Sequence, residues 1–308
     1  MNILEVSNLN VTFPTKRGFI RASQNVSFSV KQGEICVLVG ETGSGKSVIG
    51  QAVLNILPST AAVSGQILYA GKEILSLSES DFFRLRGNDI SLIPQNPTES
   101  LSPLMKCGKQ IAEVPTLSGE TKEEQNDHVL RILSSLSFSD PDLVAKSYPY
   151  ELSGGMRQRL TTGIALASSP RLLIADEPTK GLDYMARKKT MDVFLNIKKG
   201  GTNSILMITH DLELAEEIGD TVGVLYSGEM VEFGPAKDVF SSPIHPYTKG
   251  LIAALPKNGL HPLPGVCPGL SQLPEGCYFR SRCSSPCESM PHPVMNEVSG
   301  RLVRCSRY

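Results

Sequence analysis

Apolar and polar positions along the chain change period several times, and each change marks an element. Residues 3–13 and 26–39 carry short alternating apolar segments, among them Val26-Ser27-Phe28-Ser29-Val30, with Lys31-Gln32-Gly33-Glu34 as a turn. Such alternation predicts half-buried strands, so the chain starts strand-rich. Ile35-Cys36-Val37-Leu38-Val39 is apolar throughout and reads as a buried strand, after which the spacing turns helical at Val48–Leu54. Gly65–Lys72 reads as another hairpin, and Ile90-Ser91-Leu92-Ile93 as a strand stopped by Pro94.

Between about 97 and 165 the period is helical. Lys122 to Leu136 carries apolar residues at 129, 130, 132, 133 and 136. Asp140-Pro141 starts a short turn or helix, and Ser153 to Ala167 reads as another helix, so the region is a mostly helical insertion. Then Arg171–Glu177 reads as a buried strand ending in two acids, Ala186–Lys199 as a helix, and Ser204–His210 as a second buried strand. Asp211–Gly219 is a short helix, and Thr221–Phe233 a hairpin turning at Ser227-Gly228. Strands alternating with helices imply an α/β fold with a largely parallel sheet. Ligands gather at the C-terminal ends of such strands, where Gly40, Gln95, Asp176 and His210 fall. From about 236 the composition changes: ten of the 21 prolines lie between Pro243 and Pro293, which predicts a separate, loop-rich appendage.

The bulk properties exclude more than they identify. The 308 residues can hold one large domain or two smaller ones, and the 40% apolar and 20% charged content is ordinary for a soluble protein. A net charge of −1 supplies no field toward nucleic acid or an anionic bilayer. No apolar run of membrane-spanning length exists, and Met1-Asn2-Ile3-Leu4-Glu5 is no signal peptide. The expectation is a cytosolic protein whose membrane attachment, if any, comes through partners. Of seven cysteines, Cys36 reads as core, Cys107 has no suggestive neighbour, and five fall between Cys267 and Cys305. In a reducing compartment such a cluster points to metal or cluster ligation more than to disulfides.

The chemistry concentrates in Gly40-Glu41-Thr42-Gly43-Ser44-Gly45-Lys46-Ser47, which fits G-x-x-x-x-G-K-[ST] between a strand and a helix. Small residues let backbone N–H groups approach a phosphate, and the helix N-terminus adds partial positive charge. Lys46 is placed to reach the β- and γ-phosphates and Ser47 to ligate Mg²⁺. Asp176 can hold Mg²⁺ through water, and Glu177 can polarise the attacking water as general base. Gln95 can ligate Mg²⁺ or position water, and His210 can contact the γ-phosphate.

Leu152-Ser153-Gly154-Gly155-Met156-Arg157-Gln158-Arg159 resembles the LSGGQ-type signature of ATP-binding-cassette proteins, with Met156 where glutamine is commonest. Asp176-Glu177-Pro178-Thr179-Lys180-Gly181-Leu182-Asp183 resembles that family's run from Walker B to D-loop. The resemblance covers residues 3 to about 235. It implies a P-loop NTPase (RecA-like) core with an N-terminal antiparallel β subdomain, a helical signature subdomain and ATP as ligand. It further implies that Ser153, Gly154 and Gly155 serve the phosphate loop of a second cassette, and that an early aromatic stacks on adenine. Phe13 is the best match for that aromatic and Phe19 the second.

Ser147-Tyr148-Pro149-Tyr150-Glu151-Leu152, Ser242-Pro243-Ile244-His245-Pro246-Tyr247-Thr248-Lys249-Gly250-Leu251 and Gly276-Cys277-Tyr278-Phe279-Arg280-Ser281-Arg282-Cys283 resemble the dipeptide, oligopeptide and nickel importer subfamily. That likeness divides the chain into a cassette, 1–235, and a Cys/Pro-rich C-terminal extension, 236–308. It implies a [4Fe–4S] cluster on Cys277, Cys283, Cys287 and Cys305; four thiolates also suit zinc. Cys267 is spare, and His292 is a substitute ligand. The implied partners are a second, paralogous ATPase subunit, two transmembrane permease subunits and an extracellular solute-binding protein, with no nucleic acid. The implied location is the cytoplasmic face of the membrane, and peptides, nickel or metal chelates are the implied cargo.

The competing class is a soluble cassette ATPase acting on DNA or ribosomes. DNA-repair cassettes carry a long coiled coil where only 104 residues separate Ser47 from Leu152, and ribosomal ones carry two cassettes where this chain has one loop. A third class, the non-hydrolysing regulatory cassette, conflicts with the presence of Glu177 and His210.

Overall fold

The computed structural model describes residues 1–16, 18–114, 119–201, 203–287 and 291–308. The chain forms two compact units, Met1–Ser76 with Ile208–Tyr308, and Leu77–Met207.

The first unit opens with β1 (Asn2–Thr15) and β2 (Gly18–Lys31), paired antiparallel with Leu4 opposite Val30 and Val6 opposite Phe28. β3 (Ile35–Val39) and α1 (Lys46–Val53) follow, then β4 (Ala62–Tyr69) and β5 (Lys72–Glu73). The order β2-β1-β4-β5 makes an antiparallel sheet, the expected N-terminal β subdomain. The β4–β5 turn places Ala70 and Gly71 both at positive φ, as a tight hairpin requires.

The second unit runs through α2 (Glu79–Leu85), β6 (Ile90–Ile93), α3 (Pro97–Ser100), α4 (Cys107–Ala112), α5 (Lys122–Ser135) and α6 (Pro141–Lys146). α7 (Gly154–Leu166), β7 (Leu172–Asp176), α8 (Tyr184–Lys199) and the first part of β8 (Ser204–Thr209) complete it. β6 and β7 pair in parallel, Ile90 opposite Leu172 and Ile93 opposite Ala175. The expected helical insertion is present. Its core gathers Cys107, Ile111, Val129, Leu133, Leu136 and Leu160 from α4, α5, α7 and the turn after α5. α5 starts at a capping box between Thr121 and Glu124, and α6 at the Asp140 cap with Pro141 in its first turn.

The chain then returns to the first unit with α9 (Leu212–Ile218), β9 (Thr221–Tyr226), β10 (Glu229–Pro235), α10 (Ala236–Ser241) and α11 (Pro246–Ala253). It ends in β11 (Met295–Val298) and β12 (Arg301–Arg304). β9 lies parallel to β3, Val39 opposite Val224, and forms with β10 the expected hairpin at Ser227-Gly228. The tail is loop-rich, as its prolines require, but it is no detached appendage. β12 pairs with β10, Glu232 opposite Val303, and β11 pairs with β12. The fully buried Glu232 accepts from the Ile244 and His245 N–H groups and from Arg301, stitching the tail to the sheet.

Candidate nucleotide site

Every residue of β3 is buried, and the chain leaves it through glycines that no other residue replaces. Gly40 has φ +152°, and a Cβ there would lie 2.2 Å from the Leu225 carbonyl oxygen. Gly45 has φ +96°, and a Cβ there would lie 1.9 Å from the Ala22 carbonyl oxygen. The loop is therefore wedged between β9 and β2, which fixes where its N–H groups point. Gly228 N–H donates to the Ser44 carbonyl, 3.0 Å, and Ser44 N–H to the Glu41 carbonyl, 3.2 Å. Lys46 opens α1 only 5% exposed, its Nζ donating to the carbonyls of Gly40 (2.8 Å) and Glu41 (3.0 Å). Ser47 follows it in the first helical turn. The loop presents an ammonium and a helix N-terminus in one concave backbone, the chemistry of a polyphosphate cradle.

The remaining candidates divide between the units. In the first unit, His210 is exposed directly after β8, and Asp211 beside it caps α9. Phe13 on β1 is half-buried opposite Ile20, whereas Phe19, the second choice, is 65% exposed beside Arg21 and Leu270. In the second unit, Gln95 is exposed two residues past β6. Asp176 ends β7 half-buried, and Glu177 is buried at φ +50°, a left-handed backbone that a glutamate rarely adopts. Its carbonyl accepts from Lys180 N–H, 3.1 Å, closing a turn immediately after the strand.

Ser153 caps α7 by accepting from Met156 N–H, 3.3 Å. Gly155 is needed for packing, since a Cβ there would strike the Ala186 Cβ at 2.8 Å. Gly154 has nothing within 4 Å and leaves bare backbone at the helix start.

The tail's cysteines give a mixed result. Cys277, Cys283, Cys287 and Cys305 line one cavity with His245 and Phe279. Burial and the neighbouring Cys305 and Cys283 push the Cys277 thiol up. Among the described residues, however, no three His, Cys, Asp or Glu side chains stand grouped so as to hold a metal ion. The four implied thiols share that cavity without being grouped as a ready metal site. His292 is no substitute ligand: its Nδ1 lies 2.6 Å from the Gly276 carbonyl oxygen and its Nε2 2.6 Å from Glu229 Oε1. Both nitrogens face acceptors, and Glu229 holds the imidazole above its usual pKa. Cys36 and Cys107 are fully buried core thiols, pushed up to about 12 and about 11 by desolvation. Cys267 lies 3.2 Å from Ser227 Oγ.

Sequence reasoning missed one group against the loop. Arg282 forks onto Glu41, Nη1 to Oε2 at 2.8 Å and Nη2 to Oε1 at 2.9 Å. Glu41 N–H donates to Tyr247 Oη, 3.0 Å. These partners are 241 and 206 residues from Glu41, beyond the reach of any local pattern.

The loop, the signature and the acidic strand end define a P-loop ATPase of the cassette type. The description "ABC transporter" matches residues 23–180, and "Oligopeptide/dipeptide transporter, C-terminal region" matches residues 231–288. The chain belongs to the ABC transporter family, as a transport-coupled ATPase. It is 40% identical over 289 residues to the dipeptide transport ATP-binding protein DppD of Bacillus subtilis (strain 168), covering 91% of this chain and 86% of that protein. It is 39% identical over 312 residues to the oligopeptide transport ATP-binding protein OppD of Escherichia coli (strain K12), covering 98% and 92%. Among solved structures, cbiO1 from Clostridium perfringens, part of the ABC transporter complex cbiONQ, superposes with a TM-score of 0.67 at 27% identity, covering 78% and 91%. The dimeric post-hydrolysis cassette MJ0796 with ADP and Pi gives 0.68 at 24% identity, covering 76% and 99%, and shows the same fold. Among the described residues no helix is long and apolar enough to cross a membrane.

Proposed function

We propose that this chain is the ATP-hydrolysing subunit of a peptide importer, seated on the cytoplasmic face of the membrane beneath two permease subunits. The observation that carries this is the likeness to peptide-transport ATP-binding proteins over nearly the whole chain, extension included. Residues 1–235 are the cassette in this reading, and 236–308 the extension. Lys46 and the loop amides bind the β- and γ-phosphates, and Phe13 or Phe19 stacks on adenine. Glu177 takes a proton from the attacking water, and His210 holds the γ-phosphate. The hydroxyl of Ser47, the amide of Gln95 and the carboxylate of Asp176 are hard oxygen donors of the kind Mg²⁺ takes. When bound, Mg²⁺ neutralises charge on the transferring phosphoryl group. Ser153, Gly154 and Gly155 complete the site of a second, paralogous cassette, and ATP-driven closure of the pair moves the permease. An extracellular binding protein delivers the cargo. The names of the relatives support peptides; nickel and metal chelates have no such support. No feature favours the reading as a soluble nucleic-acid or ribosome ATPase.

The decisive experiment reconstitutes this chain with the permease and cassette that co-purify with it. Di- or oligopeptide with a binding protein should stimulate ATP turnover and drive uptake; stimulation by nickel chelates alone would overturn the peptide reading. A [4Fe–4S] cluster in the tail is a separate part of the proposal, supported by four thiols on one cavity. No step of hydrolysis passes through it. Protein purified without oxygen should show broad absorbance near ~400 nm with iron and sulfide. Stoichiometric zinc without that absorbance would sink the cluster.

A further inference from the structure

Glu41, the second residue of the phosphate loop, is pinned at every polar group it has. Its carbonyl accepts from Ser44 N–H (3.2 Å) and Lys46 Nζ (3.0 Å) inside the loop. Its N–H and its carboxylate are both taken by the C-terminal tail, through Tyr247 Oη and the Arg282 guanidinium. Arg282 is itself fixed. Its Nε donates to the Pro264 carbonyl, 2.8 Å, and its Nη1 also reaches Tyr226 Oη, 3.4 Å. The guanidinium lies 5.7 Å from the Tyr226 ring centroid and 6.0 Å from that of Phe279. Those rings pack edge-on at 5.2 Å, and Tyr247 joins them at 4.6 and 5.4 Å. The arginine side chain is 4% exposed, against 30% for Glu41. Among the described residues Glu41 is the carboxylate that meets this buried charge, and a planar fork holds it in a single orientation.

The consequence for the loop follows from direction. A free Glu41 side chain would leave residues 40–42 to choose among the many conformations that glycine-flanked backbone allows. Anchored from outside, the segment turns its N–H away to Tyr247 and its carbonyl inward to Lys46. Lys46 is thereby held at the loop in the place where a phosphate must meet it. We propose that Arg282 is a positioning residue of the nucleotide site: through Glu41 it holds the phosphate loop in its ATP-receptive shape. The extension thus carries part of the ATP-binding apparatus of the cassette. This inference rests on the nucleotide reading of the loop and adds to it a residue far outside the loop motif.

The test compares full-length wild type with Arg282→Gln, Arg282→Lys, Glu41→Gln, the double variant Arg282→Gln/Glu41→Gln, and Lys46→Ala. ATP affinity is read by displacement of a fluorescent ATP analogue, folding by thermal unfolding, and KM and kcat on the assembled complex. Arg282→Gln and Glu41→Gln should each weaken ATP binding about tenfold and raise KM, with kcat nearly unchanged. The double variant should be no worse than either single one, and Arg282→Lys should fall between. Lowered thermal stability with unchanged affinity would make Arg282 a structural staple of the tail and overturn the inference. So would wild-type affinity in both single variants while Lys46→Ala loses ATP, and that outcome leaves the nucleotide site standing. Wild-type affinity in Lys46→Ala would instead overturn the nucleotide reading itself. Should Arg282→Gln fail to fold, Glu41→Gln breaks the same pair from its more exposed side and decides alone.

Discussion

Gly154 and Gly155 are neighbours in the signature, yet the structure asks for them on different grounds. Gly155 is small because α8 passes too close for a methyl group, with the Ala186 Cβ at 2.8 Å from where one would sit. Gly155→Ala should therefore lower stability by about 1–3 kcal/mol through overpacking. Gly154 faces open space, so packing gives no reason for it. Gly154→Ala should leave the unfolding temperature unchanged while lowering ATP turnover, if the bare backbone there meets a nucleotide phosphate at the helix N-terminus as proposed. Thermal unfolding and turnover, measured side by side, separate the two; equal destabilisation by both would remove the distinction. At this scale the candidates were legible as motif members. Lys46, Ser47, Asp176 and Glu177 announce themselves by spacing and by the strand they follow. The Arg282–Glu41 pair does not, because 241 residues separate its members and neither motif says what its side chain touches.

Elements were legible where periodicity was long and uniform. β3, β7 and β8 are almost wholly buried and read as apolar runs, and the apolar spacing of α5 matches the side it packs inward. α2 went unread: its seven residues offer too few turns for a period, and only Phe82 is buried. The tail shows the same limit from another side. β11 and β12 are four residues each in a proline-rich segment, so local pattern argues for loop. What makes β12 a strand is the exposed edge of β10, which it covers. Arg301 and Arg304 then become internal: Arg301 reaches Glu232, and Arg304 donates to the Met230 carbonyl at 3.0 Å. Buried arginines read from sequence as solvated surface, and only the sheet that encloses them shows otherwise. For the thiols, the resemblance names four residues that the structure gathers on one cavity, without a ready metal group among the described residues.

At the scale of the whole molecule, the described residues include a lysine-bearing phosphate loop before α1 and a bare start to α7, each of a kind able to bind an anion. In the reading proposed above, the loop of one cassette and the bare helix start of a second enclose the nucleotide, so that each cassette serves two sites. An isolated chain should accordingly bind ATP and turn it over poorly, with rate recovered on adding the cassette that co-purifies with it. Glu177→Gln separates binding from chemistry in that pair. The amide keeps the size of the side chain and cannot take a proton, so hydrolysis should fall by roughly 10²–10⁴-fold. ATP affinity should remain, because the proposed phosphate contacts belong to the loop. With closure intact and the reset step blocked, the ATP-bound pair should persist and elute as a stable dimer in size-exclusion with light scattering. Adding Lys46→Ala to the same chain should weaken that dimer by removing the ammonium proposed to hold the β- and γ-phosphates. Near-normal hydrolysis by Glu177→Gln would remove Glu177 as the base. A monomer at saturating ATP, with hydrolysis blocked as expected, would instead place the fault in the two-cassette site.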